Sequence, residues 1–173
     1  VSMANVAASG GYWISTPADR IFAEPETITG SIGVFGILPS FEQTLAKVGV
    51  TVDGIATTPL SGQPDILGGV NDEFNALAQA SVEDIYARFT GLVAKSRKQP
   101  IEKVREIAEG RVWAGGTARQ IGLVDQFGGL PDAMAAAAKL ARVDGDYHAK
   151  YFETEPSEFS KMLAKWAGTA PEE

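Results

Sequence analysis

The chain has 173 residues, a formal net charge of −7, 45% hydrophobic and 21% charged residues, and no cysteine. That length supports one domain with a real core, the composition is globular rather than disordered, and the scattered basic residues give nucleic-acid binding no electrostatic footing. There is no disulfide framework, thiolate nucleophile or Cys-based metal site, no apolar run near the roughly 20 residues that span a bilayer, and no basic start leading into an apolar stretch as in a signal peptide.

In chain order, "VSMAN" reads as the end of a strand rather than a natural start, so a piece of a longer protein is expected. "VAASGGYWIS" reads as a strand tip that turns, through the small residues Ala7 to Gly11, into a helix stopped by Pro17. "DRIFAEP", bounded by two prolines, predicts a short strand, and the apolar, glycine-rich "GSIGVFGIL" predicts another. "SFEQTLAKVG" predicts a helix capped by Ser40 and stopped by Gly49, followed by a strand over "VTVDGIAT". "TPLSGQPDILGG" reads as an exposed loop.

A long helix is expected from about Asp72 to Arg97, because Phe74, Leu77, Ala78, Val82, Ile85, Phe89, Leu92 and Val93 recur at helical spacing. At ~1.5 Å per residue it would reach roughly 40 Å. Pro100 is placed at the first turn of a second helix, "PIEKVREIAEG", that ends on Gly110. "RVWAGGTARQIGLVDQFGG" then predicts strand, short helix and strand between glycine turns, and "LPDAMAAAAKLARV" a helix. "DYHAKYFET" suggests an edge strand and "PSEFSKMLAKWAG" a final amphipathic helix, before a disordered tail over 169–173. The alternation of strands and helices, without repeat or boundary, predicts a single α/β domain over 1–168.

Ser9 is the residue with the clearest chemical promise. Small neighbours leave its hydroxyl uncrowded, and a helix starting at Gly10 would aim an unpaired N–H at the place where an oxyanion forms. The residues alone leave two readings open, a nucleophile or a helix cap flanked by small residues. A Ser-His-Asp triad has poor support, since the single histidine, His148, lies in a polar segment far down the chain. A serine without histidine requires another base, and lysine is the known substitute if burial or nearby positive charge keeps it neutral. Lys47, Lys95, Lys98, Lys103, Lys139, Lys161 and Lys165 sit on expected polar helix faces, and Lys150 does not sit in an apolar loop either. None reads as a base. The carboxylate pairs Glu24 and Glu26, Glu83 and Asp84, and Asp144 and Asp146 read as solvated charge, and the glycine-rich stretches match neither a P-loop nor a dinucleotide fingerprint.

The run "SMANVAASGGYWISTPADRIFAEPETITGSIGVFG", Ser2 to Gly36, resembles the bacterial signal peptide peptidase A family, Ser/Lys proteases of peptidase family S49. "GIATTPLSG", "GRVWAGGTARQIGLVDQFGG" and "YHAKYF" agree with it, and the likeness covers almost the whole chain, weakening toward its end. The resemblance implies a ClpP/crotonase-like fold of stacked β-β-α units. It implies that Ser9 is the nucleophile, that the Gly10 backbone N–H forms half of the oxyanion hole, and that Ser31 orients the catalytic lysine. Short members carry that lysine downstream of the serine, where this chain reads "GIATTPLSGQPD" with no lysine. Long members are tandem duplications whose amino-terminal half supplies it, so the chain resembles the carboxy-terminal half of a long member.

The family further implies acyl transfer without cofactor or metal, on cleaved signal peptides and other short apolar peptides. Its partners would be the amino-terminal half of the same protein and further copies in a tetramer, on the periplasmic side of the bacterial inner membrane with the anchor outside this chain. A Clp-like peptidase would need a histidine within 72–97, and there is none. A non-catalytic scaffold of the same fold, with Ser9 only a helix cap, is the alternative from another class.

Overall fold

Two small sheets organise the chain. β1 (Val6–Ala8) lies parallel to β3 (Ile28–Gly30), and β3 pairs antiparallel with β4 (Val112–Ala114). β2 (Phe22–Ala23) lies parallel to β5 (Gln126–Phe127), and Ser2 extends that sheet through a parallel bridge to Phe22. The chain therefore visits one sheet at Ser2, crosses to the other at Val6, and repeats the crossing from Phe22 to Ile28. This is a mixed α/β architecture whose strand pairs alternate with helices, as the sequence predicts. The computed structural model describes residues 1–143 and, beyond them, 145, 147, 148, 150, 152, 157, 160 and 166. The chain divides into a unit of Val1–Ala137 and a second of Ala138–Glu173.

The helices are α1 (Gly10–Ser15), α2 (Glu42–Lys47), α3 (Asp72–Arg97), α4 (Ile101–Ile107), α5 (Gly115–Gln120) and α6 (Leu130–Ala141). α1 ends where the Ser15 and Thr16 hydroxyls donate back to the Gly11 and Tyr12 carbonyls, just before Pro17. Its Tyr12 is fully buried, donates from the phenol to the Leu123 carbonyl at 3.0 Å, and burial pushes that phenol up to about 12. α3 occupies the expected span. The Asn71 side chain accepts from the Phe74 N–H at 2.9 Å, and Lys98 closes the other end in a left-handed conformation. Only Phe89, Thr90 and Val93 of α3 are buried, so its C-terminal half enters the core while Leu77 and Ile85 stay exposed. Met3, Tyr12, Ile21, Ile32, Phe89, Val93, Val104 and Leu123 form one apolar cluster under both sheets.

Several expectations are corrected. No strand forms over "GSIGVFGIL". The strand lies one step upstream and ends at Gly30, because Gly30 and Ser31 both turn to positive φ (79° and 51°). "VTVDGIAT" is not a strand either: its alternating pattern faces solvent, with nothing buried over 50–57. α2 is preceded by Phe41 rather than Ser40 and has no side-chain cap. Pro100 stands just before α4 instead of in its first turn, and α4 stops at Ile107. The edge strand expected over 146–154, the final helix over 156–168 and the tail over 169–173 fall for the most part outside the described residues.

Candidate active site

The turn between β1 and α1 fixes Ser9. Its backbone has φ 53° and ψ −118°, a region that costs a non-glycine residue roughly 1–3 kcal/mol and persists only when its surroundings enforce it. The Ser9 N–H donates to the Gly30 carbonyl at 2.9 Å, and the Ser9 carbonyl accepts from the Trp13 N–H at 2.9 Å. The backbone is thus held from both sides. Ser9 occupies the position before the helix, yet its hydroxyl makes no capping bond, which leaves the oxygen open to solvent. Such a strained strand-to-helix corner presents a side chain clear of its neighbours. Gly10 begins α1, and among the described residues its N–H has no acceptor, as expected of a first helical residue.

The register brings in the second serine. Val6 faces Ile28 and Ala8 faces Gly30, so each residue of β1 lies beside the one 22 positions later. One step beyond the paired strands, that same offset joins Ser9 to Ser31. Both serines leave their strands at positive φ, and the Ser31 N–H is held by the Arg111 carbonyl at 2.7 Å. They line one cavity of about 470 Å³ together with Gly33, Tyr86, Glu109 and Gly110. A second cavity of about 280 Å³ shares Ser9 and adds Gly10, Trp13, Ile85 and Phe89. Val34 and Phe35 border both.

The floor between them is tight. A Cβ on Gly33 would stand 2.5 Å from the Gly110 nitrogen and 2.7 Å from its Cα, so the two backbones meet with no room for a side chain. The Gly110 N–H donates to the Ile32 carbonyl at 3.0 Å. Composition gave no signal for Glu109, Gly110 or Tyr86, since "AEG" reads only as a helix stop and Tyr86 only as a helix residue. Their role depends on a fold that carries 109–110 against 32–33.

Among the described residues no lysine lines either cavity. Lys47, Lys95, Lys98, Lys103, Lys139 and Lys150 are all exposed, which does not suit a base that must be neutral, and Lys161 and Lys165 fall outside the described residues. His148 is exposed as well. Glu24, Glu26, Glu83 and Asp84 are exposed, with Asp84 paired to Arg88 one helical turn on at 2.9 Å, and Asp144 and Asp146 fall outside the described residues. Among the described residues no group of three or more His, Asp or Glu side chains converges as a metal would require. The arrangement offers a hydroxyl, an adjacent N–H donor and a largely apolar cleft, and within the described residues it does not offer a lysine as proton acceptor.

Comparison with known proteins follows the same lines. The model of peptidase family S49 matches residues 1–144. The chain is 43% identical over 169 residues to Protease 4 of Salmonella typhi, covering 98% of this chain and 27% of that protein. It is 40% identical over 155 residues to Protease 4 of Haemophilus influenzae, covering 90% of this chain and 25% of the relative. With Serine protease SPPA, chloroplastic, of Arabidopsis thaliana it shares 36% identity over 146 residues, covering 82% and 21%. The chain thus spans about a quarter of the length of these relatives.

Proposed function

Because the chain belongs to peptidase family S49, we propose that it is the nucleophile-bearing part of a serine protease of the Ser/Lys type. Its fold class is mixed α/β, ClpP/crotonase-like. Ser9 attacks the peptide carbonyl after a neutral lysine takes its proton. The Gly10 N–H donates to the oxyanion that forms, the protonated lysine returns its proton to the departing amine, and water hydrolyses the acyl-enzyme. Ser31 orients the lysine through its hydroxyl. The lysine comes from outside this chain, from the amino-terminal half of the same protein.

The observation that carries this reading is the Ser9 corner: a strained serine whose hydroxyl caps nothing, beside an N–H that has no acceptor among the described residues. A residue serving only as a helix cap would use its oxygen on the N–H groups of the first turn. The cavity walls of Trp13, Ile85 and Phe89 suit apolar peptides, cleaved signal peptides among them. Exposed Phe35, Ile37 and Ile55 suit an assembly in which other copies or the amino-terminal half cover them, and a tetramer is the assembly we propose. No described helix is long and apolar enough to cross a membrane. The proposed site of action is the periplasmic face of the bacterial inner membrane, with the anchor elsewhere in the protein.

The experiment compares peptide cleavage by this chain alone and by the full-length protein that contains it. The full-length protein should cleave, the 173-residue chain should not, and Ser9→Ala in the full-length protein should lower kcat by about 10⁴-fold or more. Ser31→Ala should lower kcat roughly tenfold by loosening the base. Intact cleavage by the Ser9→Ala protein would remove the nucleophile and leave the non-catalytic scaffold as the better account.

A further inference from the structure

The two cavities beside Ser9 differ in charge. The smaller is walled by Trp13, Ile85 and Phe89 and, among the described residues, has no ionisable side chain on its lining. Among the described residues the larger has one acidic residue on its lining, Glu109, beside Gly33, Val34, Phe35 and Tyr86. Glu109 is anchored there by its backbone. It lies at φ 57°, a left-handed conformation that glutamate does not favour, and the bonds of the two residues that follow it hold the turn. The Gly110 N–H donates to the Ile32 carbonyl at 3.0 Å, and the Arg111 carbonyl accepts from the Ser31 N–H at 2.7 Å. The same turn thus positions Ser31 and Glu109.

We propose that Glu109 is a specificity-determining residue that binds a cationic group of the peptide, an ammonium or guanidinium, in the cavity shared by Ser9 and Ser31. Only one carboxylate oxygen is engaged: Oε2 meets the Arg111 guanidinium at 2.9 Å, with the two side chains 66% and 51% exposed. Such exposed pairs are weak and exchange readily. Arg111 has a second anchor, donating from its other amino group to the Glu106 carbonyl at 2.7 Å, so it keeps its place when Glu109 takes a new partner. Among the described residues Oε1 accepts no hydrogen bond. The substrate class that follows is a peptide with an apolar side chain on one flank of the Ser9 attack point and a positive charge on the other. This rests on the protease reading above.

The test uses the full-length protein and a matched peptide set. One peptide carries lysine with an acetylated amino terminus, one carries norleucine in its place with a free amino terminus, and a third carries norleucine with an acetylated terminus. The measurement is the kcat/KM ratio of each charged peptide to the neutral one, in the wild type, in Glu109→Gln and in Glu109→Asn, whose asparagine suits the left-handed backbone. The wild type should favour a charged peptide by about fivefold, and both variants should bring that ratio close to 1. Which charged peptide loses its advantage identifies the cation as a side chain or a chain terminus. Ratios that stay the same in wild type and both variants, with cleavage still dependent on Ser9, overturn the role of Glu109 and leave the protease reading standing. Absence of Ser9-dependent cleavage in the wild type overturns both.

Discussion

Gly33 and Gly10 both border the cleft at Ser9, and their surroundings separate two reasons for a glycine. At Gly33 a methyl group would strike the Gly110 backbone at 2.5 Å, and neither strand end can move without disturbing Ser31 or Glu109. At Gly10 a methyl group would meet nothing within 4 Å. Gly33→Ala should therefore cost about 1–3 kcal/mol, the usual penalty for overpacking, whereas Gly10→Ala should stay within about 1 kcal/mol of the parent. Urea denaturation of the three proteins checks both, and equal stabilities would mean that the floor of the cleft is softer than its distances imply. Ser9 stood out in the sequence because small residues surround it locally, and Ser31 only through the family resemblance of its "TGSIG" run. Glu109 and Tyr86 were not legible, because what brings them to the serines is pairing across 78 and 77 residues of chain, between 31 and 109 and between 9 and 86.

Among the elements, α3 owes its place to its last residue. The Arg97 side chain, 8% exposed, reaches Asp125 at 2.5 Å and 3.2 Å and also donates to the Gly122 carbonyl at 3.0 Å, fastening the helix to the loop before β5. The Ile21 N–H donates to the same carboxylate at 2.8 Å, so β2 is held at this point too. Burial works to raise the Asp125 carboxyl, but the Arg97 hydrogen bond, the Ile21 N–H and the charges of Arg97 and Arg20 together outweigh it and hold the group below its ordinary value. A carboxyl depressed in this way contributes stability above its unfolded value, about 3.9, and that stability is lost as pH falls through the folded value. Arg97→Met should cost about 2–3 kcal/mol at neutral pH, because it strands a half-buried carboxylate. The gap between variant and parent should narrow below about pH 4, measured by urea midpoints from pH 7 to pH 3. A gap independent of pH would assign the loss to packing alone. The span of α3 itself was legible, since apolar residues recur at helical spacing across it. The strand expected over "VTVDGIAT" was not, because a β pattern records fitness for a half-covered surface and cannot say whether the cover lies in the same chain.

Over the whole molecule the same uncovered segment becomes an argument about assembly. Between 35 and 55 the chain exposes Phe35 (84%), Ile37 (81%), Val48, Val50, Val52 and Ile55, while the cluster under the sheets draws no buried residue from 33–88. Isolated exposed apolar residues are ordinary, but so many within one segment that sends nothing into the core suit a surface that another chain covers. The same stretch begins at the lip of the Ser9 cleft, with Phe35 on its lining. Whatever covers Phe35 and its neighbour Ile37 would therefore lie close to where the lysine is needed, which joins the assembly to the chemistry. Replacing Ile37 and Ile55 together by glutamate in the full-length protein should leave the fold stable within about 0.5 kcal/mol, since neither side chain is buried here. The same pair should shift sedimentation toward smaller species and lower cleavage in proportion. Unchanged sedimentation with unchanged cleavage would mean that this apolar stretch faces solvent in the working protein. Smaller species with full cleavage would separate assembly from catalysis and place the lysine within a single copy.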